Sequence, residues 1–569
     1  MKKFIPILDW INSYDKSWFK SDLFAGLTVG VMLIPQGMAY SLIAGLPAIY
    51  GLYASIIPLI IYAIFGTSRQ LAVGPVAMVS LLVASGVGVL AESGTEEYIA
   101  LAILLALMVG VMQFVLGVAR MGFLVNFMSH PVISGFTSAA ALIIGFSQLK
   151  HVLGVNIPKS HFIHEILINA ATTIGEWNWT TVALSLGGMI VIILTRKYVK
   201  AIPAQLAAVV LGILVVYFFG LDQSGVKIVG EVPSGLPSLQ VGNFNWAQVQ
   251  SLLPTALTIS LIGFMESFAV AKTIQAKHRN YEVKANQELI GLGLANVAGS
   301  FFQSFPVTGG FSRTAVNDQA GAKTGLAAII SATLIAVTLL FLTPLFYYLP
   351  KAILASVIMV AVFGLVDFKE PVHLWKSDRV DFAMLLITFV GTLFLGVEQG
   401  IGLGVLLSLL LIIFKTTRPH IAVLGQVPGT NVYRNVERFD QIIERRDIVI
   451  LRPDARIYFA NINHIQQKID EVVKANSPEI KGLVVNFESV NSVDSSGIHF
   501  IKDVDKQLKA AGIKLIITSV KGPVRDTFQK SGLTSYIGEN RFALTVHQGV
   551  KIVESEESPK FGEYILEAN

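Results

Sequence analysis

Cysteine is absent from the 569 residues. That excludes a disulfide-stapled secreted scaffold, a thiolate zinc site and a cysteine nucleophile. Charge is scarce as well. Asp, Glu, Lys and Arg make up 14% of the chain, against about 25% in soluble domains. Hydrophobic residues make up 53%, and the mean hydropathy is +0.63. A string of three or four soluble domains is therefore excluded, and an integral membrane protein is expected. The N-terminus lacks the short apolar core and small-residue cleavage site of a signal peptide. No HExxH, P-loop or paired-carboxylate glycosidase pattern stands out, so neither an enzyme, a metal site nor a cofactor is expected. The 49 glycines follow no collagen period and point to close packing or broken helices. A net charge of +5 reflects a cytoplasmic excess of Lys and Arg rather than a nucleic-acid partner.

Gaps in the charge pattern locate the membrane spans. The run from Asp22 to Arg69 holds no charged residue, room for two spans of about 20 residues each. Further gaps separate Arg69 from Glu92, Glu97 from Arg120, Lys323 from Lys351, Asp381 from Glu398, and Glu398 from Lys415. Lys2, Lys3, Lys16 and Lys20 precede the first span and argue for a cytoplasmic N-terminus. Beyond Lys415 the composition turns soluble. Ile448–Leu451, Leu483–Phe487 and Lys514–Thr518 read as buried strands, and Asn461–Val473 and Ser495–Ala511 carry helical periodicity, the pattern of a small α/β domain. Both ends on one side require an even number of spans, and a membrane part of about 400 residues has room for roughly fourteen. The expected organisation is a cytoplasmic segment over 1–20, a transport domain over 21–418, a linker over 419–445, and an α/β domain with its tail over 446–569.

A repeat runs through the membrane part. Leu27–Gln36 can be laid on Leu257–Glu266 without a gap, with leucine and threonine coinciding at the start and a polar residue ending each run. Val73-Gly74-Pro75-Val76 faces Gly309-Gly310-Phe311-Ser312, and His130-Pro131 and Leu349-Pro350 each interrupt an apolar stretch. Paired Gly/Pro-interrupted segments in two halves point to the binding site of a secondary transporter. A helix starting inside the membrane aims its unpaired N–H groups and its positive end at whatever fills the cavity.

Arg313 follows the second break directly. A charge at depth costs about 2.5–3.5 kcal/mol on insertion scales, so it faces a partner or a wet cavity. Glu266, the only acid between Glu231 and Glu282, should be neutral or paired with Arg313. Gln36 and Tyr40 lie one turn apart and share a helix face. Arg313 plus two helix ends gives a charge of about +2, enough for a dianion only when Glu266 is protonated. Proton and dianion would then bind cooperatively.

At this point the residues resemble a known family. Pro47-Ala-Ile-Tyr-Gly-Leu-Tyr-Ala-Ser55 is similar to the sulfate permease (SulP) signature that follows the first span. Asn286-Gln-Glu-Leu289, Gly309–Arg313 and Gly321-Ala-Lys-Thr-Gly325 resemble that family's pattern in the same order. The C-terminal part, with Asp494-Ser-Ser-Gly497 at its centre, resembles a STAS domain. The resemblance implies an α-helical membrane protein of fourteen spans in a seven-plus-seven inverted repeat, divided into core and gate domains, with a cytoplasmic STAS domain. It also implies a homodimer in membrane lipid with elevator-like alternating access. The expected substrate-binding residues are Gln36, Tyr40, Gly74, Pro75, Gly310, Phe311, Ser312 and Arg313, with Glu266 for proton coupling. In kinase-switched STAS domains the second serine is phosphorylated, which makes Ser496 a candidate regulatory phosphosite. The compact STAS region suggests a bacterial inner (plasma) membrane.

The reading that follows is a proton-coupled symporter of sulfate or a similar inorganic oxyanion. A bicarbonate or dicarboxylate carrier, an uncoupled anion exchanger or channel, and a membrane receptor with a STAS output remain the alternatives.

Overall fold

The computed structural model describes residues 5–123, 129–157, 163–199, 203–240, 245–279 and 281–555; the tail expected over 556–569 lies outside them. The chain divides into two compact units, Met1–Ser408 and Leu409–Asn569.

In the first unit the apolar runs fold as helices: α1 (Lys16–Ile43), α2 (Ile49–Phe65), α3 (Ala77–Gly88), α4 (Glu96–Val118), α5 (His130–Ser147), α6 (Trp179–Tyr198) and α7 (Ala204–Phe219). A second set of seven follows: α8 (Trp246–His278), α9 (Ala285–Ser300), α10 (Phe311–Gln319), α11 (Leu326–Val337), α12 (Lys351–Phe363), α13 (Arg379–Leu395) and α14 (Val397–Thr417), the unit boundary falling inside α14. Asp15 starts α1 by accepting from Ser17 N–H, and Asn245 starts α8 within a capping box closed by Gln248. With 28 and 33 residues, both exceed the ~30 Å hydrocarbon thickness at about 1.5 Å per residue. Helices α3 and α10 have only 12 and 9 residues, and each is entered through non-helical backbone.

Many of the packing contacts repeat between the two sets of seven. Helix α1 lies against α3, α10 and α11, and α8 lies correspondingly against α10, α3 and α4. Helices α4 and α9 pack together as α11 and α2 do, and α5 with α13 as α12 with α6. Each pair maps onto its counterpart when seven is added to or taken from the helix numbers, which is the signature of two related halves. His130-Pro131 and Leu349-Pro350 open α5 and α12, the fifth helix of each half. Proline fits there because the first turn has no use for its missing N–H.

Glycine sets how closely α4 and α9 approach. A Cβ on Gly110 would lie 2.8 Å from Gly293 O, and one on Gly293 would lie 2.6 Å from Phe114 N. Two buried carboxylates tie the halves to each other. Asp22 of α1 accepts from the backbone of Lys323 (2.6 Å) and Thr324 (3.1 Å) and from the Thr324 hydroxyl (2.7 Å), just before α11. Glu288 of α9 accepts from the hydroxyl of Tyr62 within α2 (2.6 Å) and, just after α2, from Thr67 N–H (2.6 Å) and the Thr67 hydroxyl (2.5 Å).

The second unit is a six-stranded sheet of order β4-β3-β5-β6-β7-β8, from β3 (Ile421–Gln426), β4 (Tyr433–Asn435), β5 (Ile448–Pro453), β6 (Gly482–Asn486), β7 (Lys514–Thr518) and β8 (Phe542–Ala543). The last four run parallel, and β3 is antiparallel to both its neighbours. Alternate residues of the central strands serve opposite layers. Val449, Leu451, Leu483 and Val485 join the core formed with α15 (Ile462–Asn476) and α16 (Ser495–Ala510). Ile448, Ile450, Val484 and Ile516 join Val550 and Val553 of α17 (Val546–Glu554). Strands covered on both faces read as the unbroken apolar runs seen in the sequence. Residues 419–445 were expected to be a linker, but they carry β3 and β4. Strands of six and three residues that are only partly buried lack the unbroken apolar run that marks a central strand.

Candidate anion site

The strand-like breaks meet at the crossing of the two halves. β1 (Val73–Gly74) pairs antiparallel with β2 (Thr308–Gly309), Val73 opposite Gly309 and Gly74 opposite Thr308, and Gly310 N–H donates to Ala72 O at 3.0 Å. All four strand residues are buried. Non-helical backbone is tolerated at membrane depth only when buried in protein or lining a wet cavity. Gly74 has φ +151°, a conformation that a side chain would strain.

Side chains lock this crossing in place. Gly309 N–H donates to Ser267 Oγ (2.6 Å), which is 2.6 Å from Thr308 Oγ1, whose hydroxyl donates to Gly263 O (2.5 Å). Asn296 accepts from Val307 N–H (2.8 Å) and donates to Val307 O (3.0 Å). Ala72 N–H donates to Thr314 Oγ1 (3.0 Å), and Asn317 donates to Gln70 O (2.9 Å).

From the crossing, α3 and α10 start with no side-chain cap, at Val76 and Gly310. Both therefore present N–H groups that no side chain occupies. Arg313 sits in the first turn of α10, 2% exposed. Its Nη1 donates to Pro75 O at 2.6 Å, whereas its buried Nε and Nη2 have no partner. A Cβ built on Gly74 or Gly310 would lie 3.5 or 2.9 Å from Nη2, so the guanidinium spans both breaks. A larger residue at Gly310 would displace it.

Gln36 (1% exposed) and Tyr40 (7%) are buried on α1, with Gln36 Oε1 unpartnered. Tyr40, Glu266 and Arg313 are close enough to feel one another's charge. Among the described residues no ion pair joins Glu266 to Arg313, and Glu266 Oε2 is buried without a partner; the expected pairing is replaced by proximity. Phe311 and Ser312, in the same turn as Arg313, are exposed. Ser496 belongs to the other unit. It lies half-buried in the first turn of α16, which Asp494 caps by accepting from Gly497 N–H at 2.8 Å.

Sequence reasoning missed Ser267, Thr308 and Asn296, which hold the crossing without facing the guanidinium. It quoted Glu288 within a motif and Asp22 as the end of a charge gap without giving either a role. A signal was present for both acids, since each stands beside a long uncharged run.

Residues 19–388 match the model of the sulfate permease family, and residues 441–549 match that of the STAS domain. Over 568 residues the chain is 41% identical to sulfate transporter 4.1, chloroplastic, of Arabidopsis thaliana, covering 96% of this chain and 82% of the relative. The murine solute carrier 26 family member A9 anion transporter, in its inward-facing state, superposes with a TM-score of 0.90 at 26% identity, over 97% of this chain and 94% of that one. The transmembrane domain of the cyanobacterial bicarbonate transporter BicA gives 0.61 at 25% identity, over 68% and 98%.

Proposed function

Because the chain belongs to the sulfate permease family and is a multi-pass membrane transporter, we propose that it carries sulfate or a similar inorganic oxyanion by proton-coupled symport. The observation that carries this reading is Arg313, held between two uncapped helix starts with two buried N–H-bearing nitrogens unspent. Buried donors without partners are expensive, and an anion accepting from Nε and Nη2 removes that cost. The helix starts add N–H groups and partial positive charge.

Glu266 supplies the coupling. An ionised carboxylate there would have no donor at Oε2 and would cancel part of the charge that holds a dianion. Protonated, it lets the site keep about +2, so proton and dianion enter together. Gln36 and Tyr40 line the site from α1, with Gly74, Pro75, Gly310, Phe311 and Ser312 forming its edges. Both halves rest on the β1–β2 crossing, which supports movement of the site as one piece past α5–α7 and α12–α14, an elevator-like cycle. The reading places the N-terminus and the STAS domain in the cytoplasm, the protein in the inner membrane as a homodimer, and a regulatory phosphate on Ser496.

The test is uptake of radiolabelled sulfate into proteoliposomes with and without an inward proton gradient, for wild type and Glu266→Gln. Gradient-driven accumulation that the variant loses while still binding sulfate supports the reading. No sulfate uptake under any gradient ends the sulfate assignment and turns attention to bicarbonate and dicarboxylates.

A further inference from the structure

Glu266 stands on α8 and Arg313 on α10, and side chains tie α8 to the β2–α10 segment at both ends. At the entrance, Ser267 Oγ accepts from Gly309 N–H at 2.6 Å. At the exit, Asp318 in the last turn of α10 accepts from Lys277 Nζ at 2.5 Å, and its other oxygen meets His278 Nε2. Lys277 and His278 both belong to the last turn of α8. The residues joined stand 42 apart in sequence at the entrance and 41 apart at the exit, so the two segments advance together in one direction. Glu266 adjoins the first tie, and Arg313 lies between the two.

The exit tie is ionic where the entrance tie is neutral. The Asp318 side chain is 3% exposed, whereas that of Lys277 is 61% exposed, so the lysine reaches from water to a buried acid. A carboxylate in the last turn opposes the dipole of α10, and the two cations complement that of α8. Two helices running the same way bring their negative ends together here, and Lys277 and His278 offset both. An ion pair with one arm in water adds little stability, and burying its acid costs desolvation; the best-attested use of such a pair is to fix register. Thr314 and Asn317 fasten α10 to the first half through Ala72 and Gln70. Asp318 fastens it to the helix that carries Glu266.

We propose that Asp318 is a positioning residue for transport, a clamp that fixes the spacing between Arg313 and Glu266. Its part in transport deepens the reading above and rests on it; the clamp itself rests on the geometry of α8 and α10. Arg313 and Glu266 act on each other through charge across a gap, and such an effect varies with separation. Held at one end only, α10 would swing about Ser267 and carry the guanidinium with it. Pinned at both ends, it keeps anion affinity tied to the proton on Glu266.

The clamp is tested by distance. The chain has no cysteine, so spin labels can be placed through Thr273→Cys on α8 and Gln319→Cys on α10, both exposed positions, in the full-length protein in detergent. The labels should report one narrow distance, and adding Asp318→Asn should replace it with a broad spread; an unchanged distance overturns the clamp. Where Asp318→Asn fails to fold, Lys277→Gln removes one arm of the clamp and should broaden the distance in the same sense. The part in transport is read in proteoliposomes. Asp318→Asn should raise the KM for sulfate by about tenfold or more while kcat per folded protein stays within about twofold. A fall in kcat with unchanged KM is what a merely structural residue gives, and overturns the positioning role. Asp505, a buried acid of the second unit held by Lys509 and Arg541, supplies the comparison: Asp505→Asn should leave KM unchanged, and a matching rise there would trace the effect to general loosening and overturn the proposal. A wild type that moves no sulfate sinks the transport reading, while the label distances still decide the clamp.

Discussion

The two halves of the membrane unit share a scaffold but not a chemistry. Helix α1 packs in the first half as α8 does in the second, and β1 faces β2 across the crossing. At matching points, however, the first half offers Gln36, Gly74 and Ala77, whereas the second offers Glu266, Gly310 and Arg313. Duplication supplies two helix starts aimed at one place, which no single half provides. The acid and the base, Glu266 and Arg313, stand on one half only, on α8 and α10, while α1 and α3 contribute neutral side chains and fixed dipoles. Symmetric geometry with one-sided charge is what a site needs if it must hold an anion and also change its own charge.

Removing the one-sided charge should have the largest effect. Arg313→Gln is expected to lower sulfate transport by about 100-fold or more, measured as initial uptake into proteoliposomes. Near-normal uptake would mean that the helix starts suffice. Putting a carboxylate on the neutral half comes next. Gln36→Glu should weaken sulfate binding by about tenfold or more at neutral pH, read by equilibrium binding, and unchanged affinity would place Gln36 away from the anion. Glu266→Gln should abolish the accumulation that a gradient of one pH unit drives, about tenfold per coupled proton, with binding retained. The cross-ties between halves come after these. Asp22→Asn and Glu288→Gln should each lower stability by about 1–3 kcal/mol, seen as earlier thermal unfolding of the purified protein. A loss confined to one of them would show that the halves do not hold each other equally. Gly74→Ala should cost about 1–2 kcal/mol through its φ, and should leave a folded protein with reduced uptake.

Much of this was legible in the sequence because membranes are strict. The uncharged runs after Asp22 and after Lys323 could only be spans, and Gly and Pro inside apolar flanks could only be breaks buried against protein. Arg313 and Glu266 stood out because a charge in such a run is costly. The hydroxyls of Ser267 and Thr308 did not, since small polar residues are common in helices packed in lipid and their bonds join segments 41 residues apart. Strands β3 and β4 were read as a linker because they are short and only partly buried, so neither makes an unbroken apolar run.

The β1–β2 crossing also sets a schedule. β1 emerges from the ribosome first, and its partner follows roughly 240 residues later, a wait of about 10–50 s at ordinary rates of synthesis. Throughout that interval the backbone of Val73 and Gly74 has no ladder to join. The first seven helices must therefore insert around an unfinished centre, and the candidate anion site is complete only once α10 has been made.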